Sequence, residues 1–267
     1  MIDVEIGVAR PGLRIRMPAD QDTLPLVRQA LRSLGESVDA EVEALEDAEL
    51  ALTEACANAV EHAYGTDGGQ VDVRLQPEDG LLRVDVVDRG VGVSEQVRDG
   101  LVGPEGFGLP MIRSIATEMS FRGHDGTHLE MVLPLGSTEL DGHPPGALGV
   151  EPAERILRRL VAVVAALQDM PTERVMEGLL VAELVARSAL RSLSGDRVQV
   201  HIDLVESGFE IRVGPLVPGG AQSVMDDSEV PTLGSVIDRL ADGVRTDLRD
   251  DAEHLTLRVE SRAQRVG

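Results

Sequence analysis

The same order of predicted helices and strands occurs twice in this chain, and this repetition limits its possible folds. In the first half, alternation predicts a strand at residues 13–17, and apolar residues three and four apart predict helices at 24–34 and 38–63. A hairpin of strands 71–75 and 81–87, a helix at 106–119 and a closing strand at 127–134 follow. This order predicts an α+β sandwich with helices packed on one face of a mixed sheet.

After a stretch rich in Gly and Pro and without periodicity, the order begins again. The predicted elements there are helices at 154–167 and 173–193, strands at 197–202 and 209–213, a helix at 233–240 and a strand at 254–259. We therefore predict two tandem domains related by duplication, at residues 1–136 and 153–262, joined by a linker at 137–152.

The composition narrows the class of protein. Among the 267 residues there are three Phe, one Tyr and no Trp, so the cores must consist of aliphatic side chains. The formal net charge of −22 argues against nucleic-acid binding, because phosphate contacts need Lys and Arg. Solubility explains this charge as well as attraction of a basic protein partner does.

Membrane and secretory features are not expected. No stretch approaches the roughly 20 apolar residues needed to cross a bilayer, and the first ten residues lack the basic and apolar regions of a secretory signal. The one cysteine, Cys56, cannot form a disulfide within the chain. These features predict a cytoplasmic protein.

Glu54, Asn58 and His62 form the first of three segments with chemical character. Their spacing places all three on one face of the second predicted helix. An Asn oxygen is a hard, neutral ligand suited to Mg²⁺, and a carboxylate one turn away can accept a proton from an attacking hydroxyl. Simple solvent exposure also produces polar helix faces, so this segment alone does not decide the function.

The second segment runs from Asp88 to Gly92 and follows a predicted strand. An Asp in this place can accept a hydrogen bond from the exocyclic amine of adenine, while Gly90 and Gly92 let the backbone approach a flat base. The alternative is an ordinary turn at the end of a strand, since Asp-X-Gly is common in loops.

The third segment, Gly106-Phe107-Gly108-Leu109, opens a predicted helix. Free N–H groups and the dipole at a helix N-terminus favour phosphate, although a flexible hinge is the alternative. The short, polar residues 93–105 could close over a nucleotide as a lid, and Thr127 could hydrogen-bond near the adenine.

In this order the three segments resemble the ATP-binding boxes of the gyrase, Hsp90, histidine-kinase and MutL (GHKL) superfamily. Within it they are similar to the anti-sigma-factor serine/threonine kinases of bacteria, whose first box resembles the run from Leu50 to Gly65. The resemblance covers residues 10–135 and implies the histidine-kinase-like ATPase (Bergerat) fold.

The resemblance implies ATP and Mg²⁺ as cofactors, with Asn58 as the metal ligand, Asp88 as the adenine contact and Glu54 as the base that activates a serine hydroxyl. The other residues implied to bind the nucleotide are His62, Gly90, Gly92, Gly106, Phe107, Gly108, Leu109 and Thr127. The implied function is that of an anti-sigma regulatory factor. Such a factor is a protein-serine kinase that phosphorylates an anti-anti-sigma (STAS-type) protein and sequesters a sigma factor, and thereby regulates transcription.

The second copy lacks these motifs, which predicts one working site and one degenerate copy. Aligning Glu183 with Glu54 puts Arg187 at the place of Asn58, and aligning the hairpins puts Pro215 at the place of Asp88. This alignment leaves open a slip of one residue. Because members of the resembled family form homodimers of single domains, we expect the second copy to act as a built-in partner, an intrachain pseudo-dimer.

Two other functions remain open at this point. An ATP-gated protein-binding module would use the nucleotide without transferring its phosphate, and such a module has no need of a base at Glu54. An ATPase that drives a conformational change is disfavoured, since the lid is short and no transducer domain is recognisable after it.

Overall fold

The computed structural model describes residues 1–7, 12–64, 68–90, 108–122, 126–136, 150–232 and 234–261. The chain divides into two compact units. We call Pro11–Pro145 the first unit, and Met1–Arg10 together with Gly146–Gly267 the second unit.

The first unit contains three α-helices and five strands in its described part. In chain order these are β2 (Leu13–Pro18), α1 (Leu24–Ser37), α2 (Val42–His62), β3 (Gln70–Glu78), β4 (Leu81–Val87), α3 (Gly108–Ile115), β5 (Glu118–Arg122) and β6 (His128–Pro134). A 3₁₀ turn at Gln21–Thr23 leads into α1. The strand numbers start at two because β1 belongs to the other unit.

The sheet of the first unit has the strand order β2-β3-β4-β6-β5, and all four neighbouring pairs are antiparallel. Alternate residues of β2, β3 and β4 are buried, so one face of the sheet carries the core while the other carries polar side chains. Helix α2 packs against α1 and α3. The predicted α+β fold class is confirmed.

The second unit repeats this plan. Its elements are β1 (Ile2–Gly7), α4 (Val150–Leu167), α5 (Thr172–Ala189), β7 (Arg197–Val205), β8 (Gly208–Leu216), α6 (Gly220–Asp227), β9 (Glu229–Val230), β10 (Gly234–Ser235), α7 (Val236–Leu240), β11 (Gly243–Arg249) and β12 (Ala252–Glu260). Its strand order is β1-β7-β8-β12-β11, and the neighbours again pair antiparallel. The two sheets therefore have equivalent orders.

The origin of the first strand distinguishes the two units. In the first unit β2 directly precedes α1, whereas in the second unit the equivalent strand is β1, which pairs with β7 from Ile2↔Ile202 to Gly7↔Arg197. The sequence prediction placed residues 1–136 together, but the structure places β1 in the sheet of the second unit. Ile2, Val4 and Ile6 are buried, so this strand contributes to the core of that unit.

Several element bounds differ from those predicted. Helix α2 begins at Val42 rather than at residue 38, because Asp39 adopts a left-handed φ of 52° between α1 and α2. The helix predicted at 106–119 ends at Ile115, and the strand β5 follows it. The strand β5 was not predicted because it overlaps the end of the helix predicted at 106–119, and β11 was not predicted because it has little hydrophobic alternation.

Candidate functional site

Glu54 and Asn58 lie one turn apart on α2, as the spacing predicted, and both side chains are half-buried. The Nδ2 of Asn58 donates to Oε1 of Glu54 at 3.4 Å. The opposite face of the helix is apolar and fully buried, with Ala51, Leu52, Ala55, Cys56 and Ala59 at its centre. The packing of that face fixes the direction in which Glu54 and Asn58 project.

Cys56 contributes packing rather than chemistry. Its side chain is buried, and burial raises the pKa of the thiol to about 12. A thiol with so high a pKa is not a nucleophile at neutral pH.

The carboxylate of Asp88 is fixed by the backbone around it. Asp88 is only 5% exposed, and its Oδ1 accepts hydrogen bonds from the amides of Gly90 at 3.0 Å and Thr127 at 3.1 Å. The amide of Asp88 in turn donates to the carbonyl of Thr127 at 2.9 Å. These bonds hold the side chain in one orientation at the end of β4, and Thr127 contributes its backbone to them.

Two glycines make room around Asp88. A Cβ on Gly90 would lie 1.8 Å from the carbonyl oxygen of Ala63 at the end of α2, and a Cβ on Gly126 would lie 2.3 Å from the carbonyl oxygen of Asp88. Gly126 also has a φ of +96°. Both positions therefore exclude other residues, and they bring the Asp88 loop against the helix that carries Glu54 and Asn58.

Tyr64 links the same loop to the first hairpin. Its hydroxyl accepts from the amide of Arg89 at 2.6 Å and donates to the carbonyl of Gln70 at 2.7 Å. Sequence reasoning missed this residue and Gly126, although Tyr64 is the only tyrosine of the chain and follows the first segment directly. The position of Tyr64 next to the first segment was the sequence signal that could have identified it.

The third segment is described only from its second glycine onwards. Helix α3 begins at Gly108 and includes Leu109, and it packs against α2. The predicted residues Gly92, Gly106 and Phe107, the proposed lid at 93–105 and the side chain of His62 lie outside the described parts of the chain. Their assignments stay predictions.

The second unit shows the same helix without the polar pair. Asp39 and Asp169 precede α2 and α5 with similar φ values of 52° and 47°, and they give the alignment of the two helices. With this alignment Ala48, Ala51, Leu52, Ala55, Cys56 and Ala59 match Gly178, Val181, Ala182, Val185, Ala186 and Ala189, all buried. Leu184 therefore stands at the place of Glu54 and Ser188 at that of Asn58, one residue after the predicted Glu183 and Arg187. Periodicity in the sequence alone did not settle this shift.

The rest of the second unit's counterpart region is filled by its own groups. The hairpins align Asp72↔Val87 with Gln199↔Gly214, so Pro215 follows where Asp88 stands in the first unit. Ser188 donates to Asp227 at 2.5 Å. The carboxylate of Glu253 accepts from the amides of Gly219 at 2.7 Å and Ala221 at 3.0 Å at the start of α6, and these bonds lower the pKa of Glu253.

The donor set of the first unit fits Mg²⁺ bound together with a nucleotide. Mg²⁺ keeps several waters and commonly takes only one or two protein oxygens beside the phosphates, so one amide at Asn58 is sufficient. Among the described residues, no three His, Cys, Asp or Glu side chains cluster as a metal-binding group. Within the same ranges no helix is long and apolar enough to span a membrane.

Comparison with known proteins agrees with this geometry. The model of the histidine kinase-like ATPase domain family matches residues 17–133. The serine-protein kinase RsbW of Bacillus subtilis (strain 168) is 25% identical over 142 residues, which cover 48% of this chain and 89% of the relative. The RsbW of Bacillus pumilus (strain SAFR-032) is 26% identical over 144 residues, with the same coverage.

Among solved structures, the histidine kinase domain of the blue-light-activated histidine kinase from Erythrobacter litoralis EL346 matches 36% of this chain and 46% of that chain at 28% identity. Its TM-score of 0.32 is too low to support the fold assignment. The family match lies within the first unit. Residues 17–133 are therefore similar to the histidine kinase-like ATPase domain family, and the resemblance of the chain to serine-protein kinases is confirmed.

Proposed function

We propose that the first unit is an ATP-dependent protein-serine kinase and that the chain is an anti-sigma regulatory factor. The observation that supports this most is the pairing of two features. A buried carboxylate, Asp88, is held rigidly by backbone amides, and a second carboxylate, Glu54, lies one helical turn from the amide of Asn58. The first feature suits adenine recognition and the second suits phosphoryl transfer.

Different residues of the first unit bind different parts of Mg-ATP. Both described hydrogen bonds of Asp88 end on Oδ1, so we assign Oδ2 to the exocyclic amine of adenine. Asn58 would hold Mg²⁺ through its side-chain oxygen, while its Nδ2 stays directed at Glu54. Bound Mg-ATP supplies the γ-phosphoryl group, and the metal ion neutralises part of the charge on the phosphates. The amides at the start of α3 suit the phosphates.

Glu54 acts as the proton acceptor in the transfer. The serine oxygen forms a bond to phosphorus while the bond between phosphorus and the β,γ-bridging oxygen breaks, and ADP leaves with that electron pair. The serine proton passes to Glu54. Asn58 would orient the Glu54 carboxylate through the 3.4 Å contact. The proton acceptor Glu54 and the proposed metal ligand Asn58 lie on the same helix face because they are four residues apart.

The substrate and partners follow from the kinship with serine-protein kinases. We infer that an anti-anti-sigma (STAS-type) protein carries the acceptor serine and that a sigma factor is the alternative partner, in the cytoplasm. The net charge of −22 would speed association with a basic partner surface. The second unit, which keeps the fold and lacks the site, would take the place of the second subunit of a dimer.

The test is a phosphotransfer assay with ATP labelled at the γ-phosphate and candidate anti-anti-sigma proteins encoded in the same genome. We expect labelled serine with the natural chain, a loss of about 10²–10⁴-fold in rate with Glu54→Gln, and little change in ATP affinity for that variant. Leu184→Gln at the equivalent place in the second unit is the matched control and should leave the rate unchanged. Tight ATP binding without transfer to any candidate would instead identify an ATP-gated binding module.

A further inference from the structure

One row of polar side chains crosses the sheet of the second unit on the face opposite the core. Asp3, His201, Arg212, Thr256 and Arg245 are successive Cα partners from β1 to β11. Their neighbours Ile202, Ile211 and Leu257 are buried and face the core. Side chains of directly opposite residues stand next to each other, so the row forms one continuous surface.

Two acidic groups of this face, Asp3 and Glu210, have basic partners, whereas Asp247, the Cα partner of His254, has no ion pair among the described residues. Asp3 Oδ1 lies 2.7 Å from Nδ1 of His201, and Glu210 pairs with Arg245 at 3.0 Å and with Arg258 at 3.9 Å. In the described part of the chain no carboxylate pairs with Arg212. A chain with a net charge of −22 therefore keeps an uncompensated guanidinium at the centre of this row.

Three buried polar atoms around Arg212 also lack a hydrogen-bond partner. They are Nε of Arg212, Oγ1 of Thr256 and Nδ1 of His254. His254 precedes Thr256 by two residues on β12 and lies on the same face of the sheet. Thr256 is 2% exposed and His254 is 8% exposed. Native structures rarely leave buried polar groups unsatisfied, and an ion or water commonly accounts for such a group.

His254 lies over Gly214, where a Cβ would approach its Cδ2 to 2.4 Å. Burial lowers the pKa of His254, and the nearby Arg249 and Arg212 lower it further, against a hydrogen bond to the backbone of Ala252. Two arginines therefore lie near His254, although the chain as a whole is acidic.

In the first unit, the positions equivalent to Arg212 and Thr256 carry carboxylates. Asp85 and Glu130 are Cα partners there, as Arg212 and Thr256 are in the second unit. Oδ1 of Asp85 lies 2.6 Å from Nε2 of His128, the residue equivalent to His254, and Glu130 pairs with Arg122. Built-in carboxylates stand in the first unit where the second unit has a guanidinium and a hydroxyl.

We propose that a phosphate-type oxyanion binds to the second unit between Arg212, Thr256 and His254. The guanidinium of Arg212 and the hydroxyl of Thr256 donate to its oxygens, and the imidazole of His254 donates when it takes up a proton. This site is separate from the proposed nucleotide site of the first unit and independent of the kinase activity.

The test follows the imidazole resonances of the six histidines in the full chain by NMR while inorganic phosphate is added at constant ionic strength. We expect a saturable change at His254, at least about 10-fold weaker binding in Arg212→Gln, and weaker binding in Thr256→Val. Arg197→Gln removes an arginine of the same face that pairs with Glu5, and it should leave the affinity unchanged.

A second titration with acetate identifies the chemistry of the ligand. Phosphate binding tighter than acetate binding supports the proposal. An unsaturable response of His254, an equal response in Arg212→Gln, or saturation by acetate alone would overturn it. Because the signal belongs to His254, phosphate bound at the nucleotide site of the first unit does not confuse the result.

Discussion

The helices α2 and α5 have the same pattern of buried residues and opposite chemical character. On α2 the polar side carries the half-buried Glu54 and Asn58, and on α5 the same places hold the half-buried Leu184 and the buried Ser188. The buried side of each helix packs on its sheet with small and aliphatic residues in register. The residues that pack the helix and the residues with chemical character are therefore different residues of one helix, and one set can change while the fold is retained.

The second unit has also gained interactions that the first unit lacks. Arg174 of α5 aligns with Ala44 of α2, and it is 6% exposed. Its guanidinium donates to the carbonyl of Glu260 at 2.8 Å and pairs with Glu177 and Asp242. Asp242 also accepts from the amide of Glu260 at 2.8 Å. The second unit is thus stabilised by a partly buried ion network of its own around Arg174.

The largest effect is expected from breaking this network. Arg174→Met leaves Asp242 and Glu177 without their cation, which should lower the free energy of unfolding of the second unit by about 2–3 kcal/mol, less than for a fully buried pair because both carboxylates are partly exposed. Urea unfolding followed by circular dichroism measures the change. Arg197→Met, which removes an exposed arginine paired with Glu5, is the control, and its loss should stay below about 1 kcal/mol. Equal losses in the two variants would show that burial of Arg174 has no special effect.

The second-largest effect is expected on ATP affinity at Asp88, and Pro215, its equivalent in the second unit, provides the comparison. Asp88→Asn turns the oxygen assigned to the adenine amine into a donor, so ATP affinity should fall by about 2–3 kcal/mol, or roughly 30- to 150-fold. Calorimetric titration with ATP measures this, and the natural chain should bind one nucleotide. Pro215→Ala should leave both affinity and stoichiometry unchanged. Two nucleotides per natural chain would contradict the assignment of a single site.

Tyr64 provides a smaller effect. Tyr64→Phe removes the hydroxyl that joins Arg89 to Gln70 and should weaken ATP binding by about 1 kcal/mol, roughly fivefold, because the Asp88 loop becomes less fixed. The maximal transfer rate should change less than the affinity does. Since the chain has one Tyr and no Trp, tyrosine fluorescence of the natural chain reports on this site directly. An unchanged affinity would mean that Tyr64 serves the hairpin alone.

The smallest effect concerns pH. The pKa of His254 is lowered by burial, so the unfolded chain binds its proton more readily than the folded chain does. The stability that this histidine contributes is present above its unfolded pKa of about 6.5 and falls as the pH drops below that value. His254→Gln should flatten the dependence of unfolding free energy on pH between about 7.5 and 5.5. The same slope in both proteins would exclude this contribution.

The sequence was sufficient for the elements with strong periodicity. The helix that carries Glu54 and Asn58, the two hairpins and the position of Asp88 after a strand all follow from local patterns. Sequence did not reveal the contacts of Tyr64 and Gly126, because these depend on the approach of segments that are distant along the chain. The shift from Glu183 to Leu184 likewise required the backbone conformation of Asp169 and the pattern of buried residues.

The strand β1 has a consequence for synthesis. The residues of β1, which pair with the second unit, precede the first unit in the chain, and their partners on β7 follow only after the whole first unit has been made. During that interval Ile2, Val4 and Ile6 lack their partners on β7, and contacts so distant along the chain form slowly. A deletion of β1 or a bulky fusion that displaces it would thus damage the second unit. Residues 146–267 expressed alone would lack an edge of their sheet.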